Sequence, residues 1–246
     1  MKRSTLISTM AFIASSLLAA ETSPKDAVSN AAKKLAGGSY AFTITTTNAA
    51  GGRGGFGGGR GGMSTPIEGK VSKDGIAYVV RSTGDTTNEA VAKGVKRAFK
   101  TQDGWQTTEE MMNGGGGFGG GGGMGMFALM SLVVPASQAE DVVGKVKELK
   151  LADGVYAGDL TEDGAKSLAS PFQGMGGGGG PEITGAKGSV KFWIKDGMLS
   201  KYELKVQGSM DFGGNEMPID RTTTVETKDA GKTEVTIPED AKKKVL

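Results

Sequence analysis

Apolar and polar positions alternate with a period of two along most of this chain, the period of strands with one buried face. Residues 39–47 set the pattern: Tyr40, Phe42 and Ile44 share one face, and Thr43 and Thr45 the other. Residues 67–71 and 76–81 repeat it around Lys73-Asp74-Gly75, and Ile76, Tyr78 and Val80 share a face in the second run. Residues 96–101 and 105–108 flank Asp103-Gly104, and 151–160 fold back around Asp153-Gly154. Residues 189–195 and 199–208 flank Asp196-Gly197, with Val190, Phe192 and Ile194 aligned on one arm and Tyr202, Leu204 and Val206 on the other. Asp-Gly between alternating runs is a strong hairpin signal, because tight hairpin turns want positive φ at both central positions. Residues 217–227 and 233–237 supply two further strands, for about nine in all.

Helical spacing is confined to short stretches. Ala27, Val28, Ala31, Ala32 and Leu35 mark a helix over 23–35, stopped by Gly37-Gly38. Residues 126–134 are apolar apart from Ser131 and too short to span a bilayer. After Pro135, Ser137 is the expected cap of a helix reaching about Leu149. Thr161 caps another ending near Leu168, and residues 238–245 form a terminal one. Strands outnumber helices, which predicts an α+β protein: an antiparallel sheet with one helix-covered face.

Three glycine-rich runs interrupt this pattern at 51–62, 114–125 and 174–180, and together they hold 25 of the 43 glycines. Such runs bury too little apolar surface to offset their backbone entropy, so they are expected as flexible loop insertions. None carries the Gly-Lys-Ser/Thr of a phosphate loop. The first resembles an Arg-Gly-Gly segment, yet it offers only Arg53, Arg60 and Phe56.

The amino terminus changes the compartment. Lys2 and Arg3 precede an apolar stretch, Leu6 to Ala20, that ends in small residues before Glu21, the pattern of a secretory signal peptide cut after Ala20. Residues 21–246 then form a single domain in the periplasm or outside the cell, and the chain is not expected to be a transmembrane protein. Without the leader, 27 basic residues balance 27 acidic ones. No net field draws the domain to nucleic acid, which is not expected as a partner.

Histidine and cysteine are absent. The usual zinc, copper and iron ligand sets, disulfides, and Ser-His-Asp or Cys-His centres therefore cannot form. The acidic pairs Glu109-Glu110, Glu140-Asp141 and Glu162-Asp163 are neighbours in sequence and point in different directions. The first is expected to end a strand and the other two to open helices. No enzyme activity, cofactor or metal is expected.

The order of elements carries a resemblance. An N-terminal helix precedes antiparallel hairpins; SQAEDVVGKVKELK forms a helical insert, followed by GVYAGDLTEDGAKSL; the chain resumes with SVKFWIKDGMLSKYELKVQG and ends in EVTIPEDAKKKVL. This arrangement resembles the LolA-like family of periplasmic lipoprotein and lipid carriers, LprG/LppX-type proteins included. The resemblance implies a strongly curved antiparallel sheet, a half-open barrel, wrapped around a few helices, with a hydrophobic cavity for acyl chains. It implies as partner a hydrophobic ligand or lipoprotein acyl chain. The alternative is an envelope structural or interaction protein with a filled core, whose glycine-rich loops contact an envelope protein partner.

For a ligand cavity, the candidate lining is Tyr40, Phe42, Ile44, Ile76, Tyr78, Val80, Phe192, Ile194, Tyr202, Leu204 and Val206 from strands, with Met126, Phe127 and Met130 from the apolar segment. Periodicity does not distinguish a lined pocket from a filled core. Met111, Met112, Met124, Met126 and Met130 cluster about the second glycine run with Phe118 and Phe127. Flexible, polarizable methionines suit a lid over varied apolar guests, and equally a permanent plug.

Overall fold

The alternating segments hydrogen-bond into one sheet. A computed structural model of the protein describes residues 22–49, 65–113, 123–170, 182–212 and 214–246. The expected signal peptide and the glycine runs 51–62 and 174–180 lie outside the described residues, as does 114–122 of the second run. In chain order the elements are α1 (Pro24–Ala36), β1 (Tyr40–Asn48), β2 (Ile67–Val71), β3 (Ala77–Thr83), β4 (Thr86–Lys93), β5 (Lys96–Thr101), β6 (Gly104–Thr107), α2 (Thr108–Asn113) and α3 (Gly123–Met130). They continue with α4 (Pro135–Gly144), β7 (Lys150–Ala152), β8 (Val155–Asp159), α5 (Glu162–Ala169), β9 (Glu182–Lys195), β10 (Met198–Phe212), β11 (Asn215–Lys228) and α6 (Glu239–Val245).

Among the described residues, the eleven strands form a single antiparallel sheet of order β6-β5-β4-β3-β2-β1-β11-β10-β9-β8-β7, which does not close on itself. Two meanders, β1–β6 and β7–β11, are joined where β1 pairs β11, from Ala41 opposite Lys228 to Asn48 opposite Arg221. The Asp-Gly signals act as expected at two turns. Asp153 and Gly154 take φ of 51° and 77°, and Asp196 and Gly197 take 53° and 71°, the paired positive φ of a tight hairpin.

Helix starts follow local chemistry. Ser23 Oγ accepts from the Asp26 N–H at the head of α1, and Thr161 Oγ1 accepts from Gly164 N–H at 3.0 Å at the head of α5. Ser137 is not a cap: α4 begins two residues earlier, with Pro135 in its first turn and no side-chain cap on Val134. Tyr40 on β1 supplies the missing acceptor, its hydroxyl taking the Ala136 N–H at 3.4 Å. Helix α4 ends at Gly144, short of the expected Leu149, and Glu140-Asp141 sit inside it. Glu109-Glu110 end no strand; they open α2, where Thr107 and Glu110 cap each other reciprocally, Thr107 N–H to Glu110 Oε2 at 2.8 Å and Glu110 N–H to Thr107 Oγ1 at 3.2 Å. Residues 233–237 form no strand and lead into α6.

One core runs along the helix-covered face. Phe99 on β5, Phe42 on β1, Tyr202 on β10 and Phe192 on β9 all belong to it, with Val28, Leu35, Val142 and Leu168 from the helices. A second, smaller core lies on the opposite face, where Ala241 and Val245 of α6 cover Ile76, Val91 and Ala98. Among the described residues, no helix is long and apolar enough to cross a membrane.

Candidate functional site

Strand register sorts the inner face into transverse rows. One row runs Tyr156, Phe192, Tyr202, Val225, Ile44, Ile67 from β8 across to β2. The next runs Phe42, Gly69, Val79, Ala90, Phe99 from β1 to β5, and a third runs Tyr40, Val71, Ala77, Ala92, Arg97. The first is bulky throughout. The second and third are small in their middles, so the β2–β4 part of the inner face presents a shallow floor. At Gly69 the close approach is total: an added Cβ would stand 2.2 Å from Phe42 Cζ, so the Phe42 ring lies on that glycine.

Helix α3 and the connection Ser131–Val134 form the roof. Leu129, Met130 and Leu132 are buried, and Met126 packs partly buried against the same core. Between the row Tyr40–Val71–Ala92–Arg97 and the connection that follows α3 lies a cavity of about 130 Å³, lined on that side by Leu132, Val133, Val134 and, from α4, Ala136 and Ser137. Two tyrosines fasten α4 beside it. Tyr40 accepts from Ala136, and Tyr202 Oη donates to Gln138 Oε1 at 2.5 Å. Burial pushes both phenols well above their ordinary pKa. Both therefore stay neutral at any physiological pH.

Two arginines point to this face. Arg97 Nη2 donates to Leu132 O at 2.9 Å in the roof, and Arg221 Nη2 donates to Leu168 O at 2.6 Å near the end of α5. Burial lowers the pKa of both guanidinium groups. Sequence reading overlooked Arg97, although the alternation that places Phe99 inward also places Arg97 inward, two residues earlier.

The expected lining divides. Tyr40, Phe42, Ile44, Phe192, Tyr202, Leu204, Val206 and Met130 lie in the inner core, and Met126 and Ile194 pack partly buried against it. The side chain of Phe127 lies outside the described residues, as do those of Met112, Phe118 and Met124. Met111 packs partly buried on the inner core. Ile76, Tyr78 and Val80 are corrected: β3 turns Ala77 and Val79 inward, and its bulkier alternate set faces the other side, where α6 covers Ile76. Tyr78 there donates to Glu89 Oε2 at 2.5 Å, and Glu89 also accepts from Lys100 at 2.7 Å.

The acidic pairs do not converge. Asp141 pairs with Lys145 and Glu162 with Lys166 along their own helices, and Glu110 pairs with Lys244 of α6. A second, open cleft of about 500 Å³ lies where β8 ends against β9, with Lys147, Asp159, Glu162, Lys187, Lys205 and Gln207 on its walls. Its polar lining sets it apart from the cavity beneath residues 132–137. Among the described residues, no three carboxylates gather as a metal site. No protein-family model matches the chain, and no curated protein matches it in sequence.

Proposed function

We propose that this is an exported, periplasmic, non-enzymatic binding protein, built on a LolA-like half-open barrel, that carries a hydrophobic ligand such as a lipid or a lipoprotein acyl chain. The ligand lies between the inner face of β1–β5 and the α3–α4 segment. The observation that carries this reading is the cavity between the row Tyr40–Val71–Ala92–Arg97 and its roof. Its floor is small, and its roof is the apolar connection Leu132, Val133 and Val134 with Ala136 of α4. At about 130 Å³ it is smaller than the roughly 300–1,000 Å³ of ordinary ligand sites, so a long chain enters only when the connection 131–134 and the α3 that precedes it shift.

That small volume also favours the second reading, an envelope interaction protein with a permanently filled core. Native mass spectrometry of residues 21–246, purified from the host without detergent, separates the two. A discrete extra mass that organic solvent removes supports carriage and names the ligand class. A clean mass after incubation with host lipid extract overturns it.

A further inference from the structure

An arginine is out of place in the wall of an apolar cavity unless something answers its charge. Arg97 occupies the end of the inner row Tyr40–Val71–Ala77–Ala92, beside Leu132 and Val134 of the roof. Its Nη2 is committed to Leu132 O, and its Nε is buried without a hydrogen-bond partner. Among the described residues, no carboxylate pairs with it, in a domain whose exposed lysines pair repeatedly with Asp and Glu. Burial lowers its pKa, as expected for a cation whose neighbourhood does not repay desolvation. The Tyr40 hydroxyl and Ser137 complete the polar rim of the same cavity.

The geometry points to Arg97 as the head-group receptor of the site: the ligand is an anionic single-chain amphiphile, its carboxylate on the guanidinium and its chain along the small floor beneath residues 132–137. This rests on the carriage reading of the preceding subsection and adds the polarity and orientation of the guest. A guanidinium answers a carboxylate with charge-assisted hydrogen bonds; Nη2 holds Leu132, and the buried Nε–H, which has no partner, is the donor left to meet the anion. Chain length is not fixed by the closed volume, since the roof connection 131–134 yields to the chain and the head group stays at the β5 end.

Dodecanoate and 1-dodecanol share a chain and differ at the head, and at pH 8 the acid is ionised. Binding of each to residues 21–246 is measured by native mass spectrometry and by competition with a fluorescent probe below micelle formation. The expected result is dodecanoate binding at least about tenfold tighter than dodecanol, the scale of one charge-assisted contact. In Arg97→Gln that preference falls to less than about twofold while dodecanol binding is retained, and Arg97→Lys restores part of it. Equal affinity for acid and alcohol in the unaltered protein overturns the head-group role and leaves hydrophobic carriage intact. A preference that survives in Arg97→Gln reassigns the head group elsewhere and overturns the role of Arg97. Binding of neither ligand overturns both proposals together.

Discussion

The two meanders of the sheet are built differently. In the β7–β11 meander, β9, β10 and β11 run 14, 15 and 14 residues, and their inner face carries Phe192, Tyr202 and Leu204 under α1, α4 and α5. In the β1–β6 meander, β2 to β6 run four to eight residues, and the inner face is small at Gly69, Ala77, Ala90 and Ala92 under α3 and its connection. One half is held by large interdigitated side chains; the other is shallow over β2–β4, where its inner face lies under the eight-residue α3 and the connection that follows, and α6 covers its opposite face. The difference teaches where a guest can be admitted: the thick half fixes the fold, and the thin half has a cover to move.

Truncating an aromatic in each half tests this most strongly. Phe192 and Phe99 are both 0 % exposed. Phe192→Ala should cost roughly 3–5 kcal/mol, and Phe99→Ala at least about 1 kcal/mol less because α3 settles into the space. Urea unfolding of both variants checks the order; equal losses would mean that α3 is as fixed as α1. Next comes Gly69→Ala, which forces the Phe42 ring off its seat at a cost of about 1–3 kcal/mol. Adding Phe42→Leu should recover much of that loss, a non-additivity read in a double-mutant cycle.

Thr161→Ala removes the α5 cap and should cost about 1 kcal/mol, with faster amide exchange confined to the first turn of α5. A pH-dependent effect marks the thin half. Burial, and then the hydrogen bond to Glu89, push Tyr78 up to about 12. Burial alone would raise the Glu89 carboxyl, but its bonds from Lys100 and Tyr78 hold it below its ordinary value. The Tyr78 contribution is therefore complete below pH of about 10, its unfolded value, and is lost as pH rises toward 12. Urea midpoints at pH 9 and 11 should drop less in Tyr78→Phe than in the unaltered protein. Smallest is Lys244→Ala, which breaks the solvent-exposed pair with Glu110 and should leave the urea midpoint unchanged within error.

Hairpins with Asp-Gly turns were legible because the turn chemistry and the alternation agree, as at Asp196-Gly197, and β2 is found at its expected bounds. Strand β4 escaped notice because its inward residues, Asn88, Ala90 and Ala92, carry little apolar contrast, and Gly84-Asp85 and Gly94-Val95 reverse the usual turn order. The face of β3 was misjudged for a tertiary reason. Both of its faces are covered, so the bulkier set, Ile76 and Tyr78, looked inward, while α6 had claimed it from the far end of the chain. Capping was readable at Ser23 and Thr161, and equally at Thr107 and Glu110, where the spacing of a capping box went unused. The cap of α4 was not readable, since its acceptor is Tyr40, far away in sequence. Most inner-face candidates were legible from period two; that Arg97 ends a row beneath the connection after α3 needed the register of five strands.

The β1–β11 seam has a kinetic consequence. Within each meander neighbouring strands follow one another along the chain, but Ala41 meets Lys228 only after nearly the whole chain is available. Pairings that distant are slow to nucleate, since their loop entropy is spent before any contact rewards it. Until β11 arrives, the outer edge of β1 offers a row of unpaired amides and carbonyls along Tyr40–Asn48. A chain truncated before Asn215 would keep that edge permanently open and should self-associate through it. The late seam thus works as a quality gate: only a chain carried through to its last strand hides its stickiest edge.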